Sequence, residues 1–139
     1  MKAFLDSSII IIGFVVEKSN SAKILDLLFE NKIDAVISEK VLKEVKKYFR
    51  EKRSRNYAYI IELLLRKNCQ IIYNYEVVEV MEKLKGKIKE KDLEQLAAVR
   101  KLNLKYLVGY DRDFEKFDEY ITPKQFIRKL NLGTYETEY

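Results

Sequence analysis

One feature constrains the fold more than any other. Short apolar stretches of strand length alternate along the whole chain with longer segments of helical periodicity. "KAFLD" (2–6) reads as a first strand, and "SSIIIIGF" begins a helix capped by Asp6 or by a serine. "SAKILDLLFENK" (21–32) carries Ile24, Leu25, Leu27 and Leu28 on one helical stripe, and "IDAVIS" (33–38) is a buried strand ending at Ser38, a helix N-cap. Two helices follow, over 39–52 and 55–68, with a basic joint between them. "CQIIYN" (69–74) is a third strand, "YEVVEVMEKLKG" (75–86) a helix closed by Gly86, and "KDLEQLAAVRKLNL" (91–104) an amphipathic helix. "KYLVGY" (105–110) and a short "EYIT" (119–122) supply the last strands, and Pro123 opens a final helix at a position proline tolerates. This alternation predicts an α/β fold with a parallel sheet and right-handed crossovers. In such sheets ligands gather at the carboxyl ends of the strands, where the strand order reverses.

The 139 residues fit a single domain, 1–139, with no Gly/Ser/Pro-rich linker dividing it and with about 132–139 reading as a tail. Histidine is absent and Cys69 is the lone cysteine. No intramolecular disulfide is possible, which points to a cytoplasmic protein. A Ser-His-Asp triad, a Cys-His pair and the usual His-based zinc sites are all excluded. The run "IIIIGFVV" falls far short of the ~20 residues of a membrane span, so no membrane association is expected.

The remaining chemistry lies with carboxylates. Asp6 closes the first strand; Asp111 follows the fourth directly, with Asp113 two residues on. If those strands are neighbours across the switch point, Asp6 and Asp111 come together. Glu44 shares a helical face with Val41 and Tyr48, and Asp92 precedes Leu96 by four residues on the stripe of its own helix. An ionised carboxylate on a buried face is costly unless it is paired or binds a metal. Two like charges ~4 Å apart repel by roughly 4 kcal/mol at an effective dielectric near 20. Convergence of these acids therefore implies protonation or a divalent cation, and an all-oxygen ligand set selects Mg²⁺ or Mn²⁺ over zinc. Taken singly, each acid has a plainer reading: Asp6 as a helix cap, Glu44 curled to solvent, Asp92 answering the helix dipole, Asp111 and Asp113 as turn residues. Their joint placement at strand ends and inward helix faces favours a site.

The net charge of +5 permits a polyanionic partner. "KKYFREKRSRNYAY" (46–59) sets Lys46, Lys47, Arg50, Lys52, Arg53 and Arg55 among Tyr48, Phe49, Tyr57 and Tyr59. Such a stretch can hold phosphates and stack bases, although charge runs of this kind are more often solvated helix surface.

These residues resemble the PIN-domain ribonucleases, and in particular the VapC toxins of toxin–antitoxin pairs. "FLDSSIII" resembles the opening block of that family, "ISEKVLKEV" the second, "KDLEQLAAVRKLNL" the third and "YLVGYDRDF" the fourth. The resemblance implies Asp6, Glu44, Asp92 and Asp111 as catalytic metal ligands, with Asp113 and Ser7 in support. It implies Mg²⁺- or Mn²⁺-dependent cleavage of RNA, a homodimer, an antitoxin protein as partner, and a three-layer α/β/α fold whose parallel sheet runs 3-2-1-4-5. One departure stands out: the fourth block commonly has Thr or Ser where this chain has Gly109. A non-catalytic PIN-like module that binds RNA or protein is the alternative. A doubly wound phosphate binder is disfavoured, because no Gly-rich phosphate loop is present.

Overall fold

Ala3, Phe4 and Leu5 are wholly buried in a computed structural model that describes residues 1–139. They belong to β1 (Lys2–Leu5), the middle strand of a five-stranded sheet in the order β3-β2-β1-β4-β5. All pairings are parallel, and Phe4 lies between Val36 of β2 (Asp34–Ser38) and Leu107 of β4 (Tyr106–Val108). β3 (Cys69–Ile72) and β5 (Tyr120–Ile121) close the edges. Burial on both faces explains why the central strands are continuous apolar runs rather than alternating ones.

The helices are α1 (Ser7–Val15), α2 (Asn20–Phe29), α3 (Glu39–Lys52), α4 (Arg55–Asn68), α5 (Asn74–Leu84), α6 (Leu93–Lys101) and α7 (Pro123–Lys129). α1 packs on α2 and α3, α3 on α4, and α2 on α7, while α5 packs on α6 and α6 lies against β1, β2 and β4. Right-handed crossovers place these two groups on opposite faces of the sheet, which makes the three layers. Ser19, Ser38, Ser54 and Thr122 each accept a backbone N–H at the start of their helix, fixing four of the starts. At Gly13 an added Cβ would lie 2.5 Å from Leu25 Cδ1 and 3.0 Å from the Ser21 carbonyl, so α1 and α2 touch backbone to side chain there.

Several boundaries differ from expectation. The fourth strand ends at Val108, because Gly109 and Tyr110 already turn toward the following loop. The helix expected from residue 91 begins as a 3-10 turn, Glu90–Asp92, and becomes α6 only at Leu93. It stops at Lys101, where Asn103 adopts a positive φ of 52°. Residues 132–139 fold back on their own chain. Asn20, fully buried, donates to the Thr137 carbonyl at 2.6 Å and accepts from the Tyr135 N–H at 2.9 Å. Ser21 N–H donates to the Tyr139 carbonyl at 3.1 Å, and Lys124 N–H to that of Glu138 at 3.1 Å. The last residues thus strap α2 to α7.

Candidate metal centre

The site lies at the carboxyl ends of β1 and β4, joined there by the Asp6 N–H donating to the Val108 carbonyl at 3.0 Å. Asp6 occupies the N-cap position of α1, yet its side chain makes no cap hydrogen bond. The plain capping reading fails. Burial pushes the Asp6 carboxyl up, the Ser7 backbone N–H and the Gln95 side chain draw it back, and Asp111 pushes it up again. Gly109 faces this carboxylate: a Cβ there would sit 3.4 Å from Asp6 Cβ and 3.6 Å from its Oδ2, an ordinary contact.

Asp111 caps a 3-10 turn, Arg112–Phe114, by accepting the Asp113 N–H at 2.9 Å. That turn aims both carboxylates back at Asp92. Ligand oxygens of Asp92, Asp111 and Asp113 lie within 4.8 Å of one another. Asp92 is only 6% exposed, and its Oδ2 has no hydrogen-bond partner. Its residue stands in the turn before α6 rather than on the helical stripe the periodicity predicted. Burial, and next the charge of Asp111, hold its carboxyl above the usual range.

Glu44 departs from expectation too. Val41, Val45 and Phe49 form the buried stripe of α3, and Glu44 stands at its edge, exposed. Desolvation and the nearby Asp6 still push its carboxyl up, so it borders the acids without joining their closest group. Ser7 is half-buried beside Asp6, and the neighbouring Ser8 hydroxyl is buried without a partner.

Sequence reasoning missed two further polar residues. Glu94 and Gln95 on α6 are 8% and 4% exposed, and each has an Oε1 without a partner. Glu94 Oε2 accepts from Asn74 Nδ2 at 2.9 Å. The signal was available in "EQLAA": consecutive alanines mark a helix buried all round, where a Glu-Gln pair is out of place. Three lysines were also missed. Lys89 Nζ lies 3.1 Å from Asp113 Oδ2 and Lys91 Nζ 3.7 Å from Asp111 Oδ2, while Lys40 Nζ donates to the Lys91 carbonyl.

The donor set fits a hard divalent cation. Three carboxylates converge, one carries a buried oxygen with no other partner, and no nitrogen ligand competes. Cys69 starts β3, and burial pushes its thiol up to about 12, which makes it a poor soft ligand.

The basic joint forms a separate feature. Lys46, Arg50, Arg55, Ala58, Tyr59 and Glu62 line a groove of about 330 Å³ between α3 and α4. Lys46 pairs with Glu62 at 3.1 Å, while Lys47 and Arg53 stand in solvent. Of the interleaved aromatics, Phe49 is buried and packs edge-on to Tyr48 and tilted against Tyr57, both half-buried, while Tyr59 is 59% exposed.

No helix is long and apolar enough to cross a membrane. The family model described as "PIN domain" matches residues 2–113. No curated protein matched the chain. Among solved structures, a toxin–antitoxin complex from Klebsiella pneumoniae is similar at a TM-score of 0.69 and 20% identity, over 87% of this chain and 97% of that one. VapBC2 from Rickettsia felis, bound to a promoter DNA fragment, aligns at 0.62 and 19% identity, over 87% and 96% of the two chains. Mycobacterium tuberculosis VapC20, a toxin that cleaves the sarcin-ricin loop, aligns at 0.60 and 16% identity, over 82% and 93%.

Proposed function

We propose, because the chain belongs to the PIN-domain family, that it is a divalent-metal-dependent endoribonuclease, acting in the cytoplasm as the toxin of a toxin–antitoxin pair. The observation that carries this reading is the buried, partnerless Oδ2 of Asp92 beside Asp111 and Asp113. Asp92, Asp111 and Asp113 would hold the ion, Mg²⁺ or Mn²⁺, with Asp6 and Glu44 as direct or water-mediated ligands. Bound there, the ion supplies positive charge against the charge developing on a phosphodiester and lowers the pKa of water.

The chain's own groups supply the rest. Asp6 and Glu44, which border the three-carboxylate group, are assigned to take the proton of the attacking water when they hold the ion through water. The water oxygen bonds to phosphorus, the bond to the 3′-oxygen breaks, and that oxygen leaves taking a proton from solvent water. A 5′-phosphate and a 3′-hydroxyl result, with no part for the 2′-hydroxyl. Arg50, Arg55 and Lys46 in the α3–α4 groove, with Lys47 and Arg53 beside it, are assigned to distant phosphates of the RNA. Tyr59, Ile60 and Leu63 on α4, at 59%, 55% and 49% exposure, are assigned to a second copy of the chain or to an antitoxin protein.

The test is cleavage of an RNA substrate with Mn²⁺ and with EDTA. Asp6→Asn and Asp92→Asn should abolish metal-dependent cleavage while circular dichroism shows the fold intact. Cleavage that persists in EDTA, or in both variants, refutes the reading.

A further inference from the structure

The acids explain how a cation is held but leave a difficulty, because a cup of carboxylates repels a polyanion. Two lysines answer it. Lys89 ends the short connection that follows α5, and Lys91 stands two residues on, inside the 3-10 turn Glu90–Asp92. Gly86 opens this connection at φ 85°, with nothing within 4 Å of where a Cβ would be. Ile88 packs on the core and bridges to Lys85, and Lys40 holds the main-chain carbonyl of Lys91. The backbone here is anchored while the lysine side chains reach into solvent. Lys89 ends on Asp113 at 3.1 Å and Lys91 on Asp111 at 3.7 Å, and both side chains remain over 60% exposed, at 65% and 63%. They approach from solvent onto oxygens that belong to the three-carboxylate cluster.

We propose that Lys89 and Lys91 are positioning residues for the substrate, parked on Asp113 and Asp111 until those acids hold a divalent ion, then turned to the RNA phosphates flanking the scissile bond. This rests on the ribonuclease reading and names the part of the site that engages the backbone. Exposed ion pairs are weak, so the parked state costs little to leave. Once the ion offsets two of the negative charges in the three-carboxylate group, the two ammonium groups are held less tightly at the rim, where a phosphodiester strand must pass. The same acids thus keep the lysines in place without metal and release them with it.

The test uses the full chain with Lys89→Gln and Lys91→Gln together, and Lys105→Gln as a control at the opposite end of the sheet. Mn²⁺ titrated alone by calorimetry should bind the double variant about three- to tenfold tighter than wild type, because two competing cations are gone. Binding of a fluorescent single-stranded RNA in Ca²⁺, followed by anisotropy across a salt series, should show a log–log slope shallower by about 1.4, for two lost phosphate contacts. Unchanged Mn²⁺ affinity, or an unchanged slope, overturns the proposal. Neither readout needs cleavage. An RNA that binds but is never cut counts against the nuclease reading alone, whereas cleavage with unmoved readouts counts against the lysines alone.

Discussion

Replacing Asp92 by asparagine should make the metal-free protein more stable. Its carboxylate lies within 4.8 Å of that of Asp111, and at an effective dielectric near 20 such a pair repels by about 3.5 kcal/mol before solvent screening. Lys91, mostly in solvent and 3.7 Å from Asp111, offsets no more than about 1 kcal/mol. Screening through the open rim reduces the remainder, and the buried amide keeps one atom unpaired. A net gain of about 1–2 kcal/mol is left, or roughly 3–6 °C in Tm for a domain of this size. Mn²⁺ should reverse the order. Wild type gains about 2.7 kcal/mol at a hundred times its Kd, and Asp92→Asn gains little. Thermal unfolding with EDTA and with excess Mn²⁺ measures both halves. A variant that melts below wild type in EDTA, or that rises with Mn²⁺ as far as wild type does, refutes the electrostatic account.

The same acids set the pH dependence. Asp6, Glu44 and Asp92 are all held above the ordinary carboxylate range, by burial first and then by neighbouring acids. The native state therefore binds protons that the unfolded chain has released, so stability in EDTA should rise as pH falls from 7 toward about 5. Urea unfolding at the two pH values checks it, and a fall in stability contradicts it. Further acidification works the other way at Asp113, held low by its hydrogen bond to Lys89, and at Glu62, where burial is outweighed by Lys46 and Arg66. Gly13→Ala should cost about 1–3 kcal/mol, since its Cβ would stand 2.5 Å from Leu25 Cδ1; a chemical denaturation midpoint equal to wild type would contradict that close approach. Asn20→Ala removes the side-chain bonds to Tyr135 and Thr137. It should cost about 1–3 kcal/mol and expose residues 132–139 to limited proteolysis, and a tail as resistant as in wild type would refute the strap.

Where a local signal decides the outcome, the sequence was legible. α3 and α4 run over the predicted 39–52 and 55–68 because Ser38 and Ser54 cap them and the buried stripes lie inside those limits. The sheet order needed more than pattern, since strand-length runs do not say which neighbours pair; the resemblance supplied it. "KYLVGY" reads as one strand, yet its apolar run continues into residues that leave the sheet. Asp6 directly follows β1, a local feature the pattern marks, whereas Asp111 lies three residues beyond the end of β4 and not directly after it. Glu44 was placed inward by periodicity, but a stripe one residue narrower than assumed leaves it at the edge. Lys89 and Lys91 could not be found at all. Their partners are twenty or more positions away, and a lysine-rich connection looks the same whether it faces solvent or an acid.

β1 is hydrogen-bonded to β4, and the acids that follow them, Asp6 and Asp111, are separated by more than a hundred residues. During synthesis Asp6 emerges first and waits through more than a hundred residues before Asp111 exists. Asp92 is made before Asp111 and Asp113, so the three-carboxylate group is complete only with the turn that follows β4. A chain that stopped short of β4 would lack that strand and two of the three clustered carboxylates, and could gather no ion there.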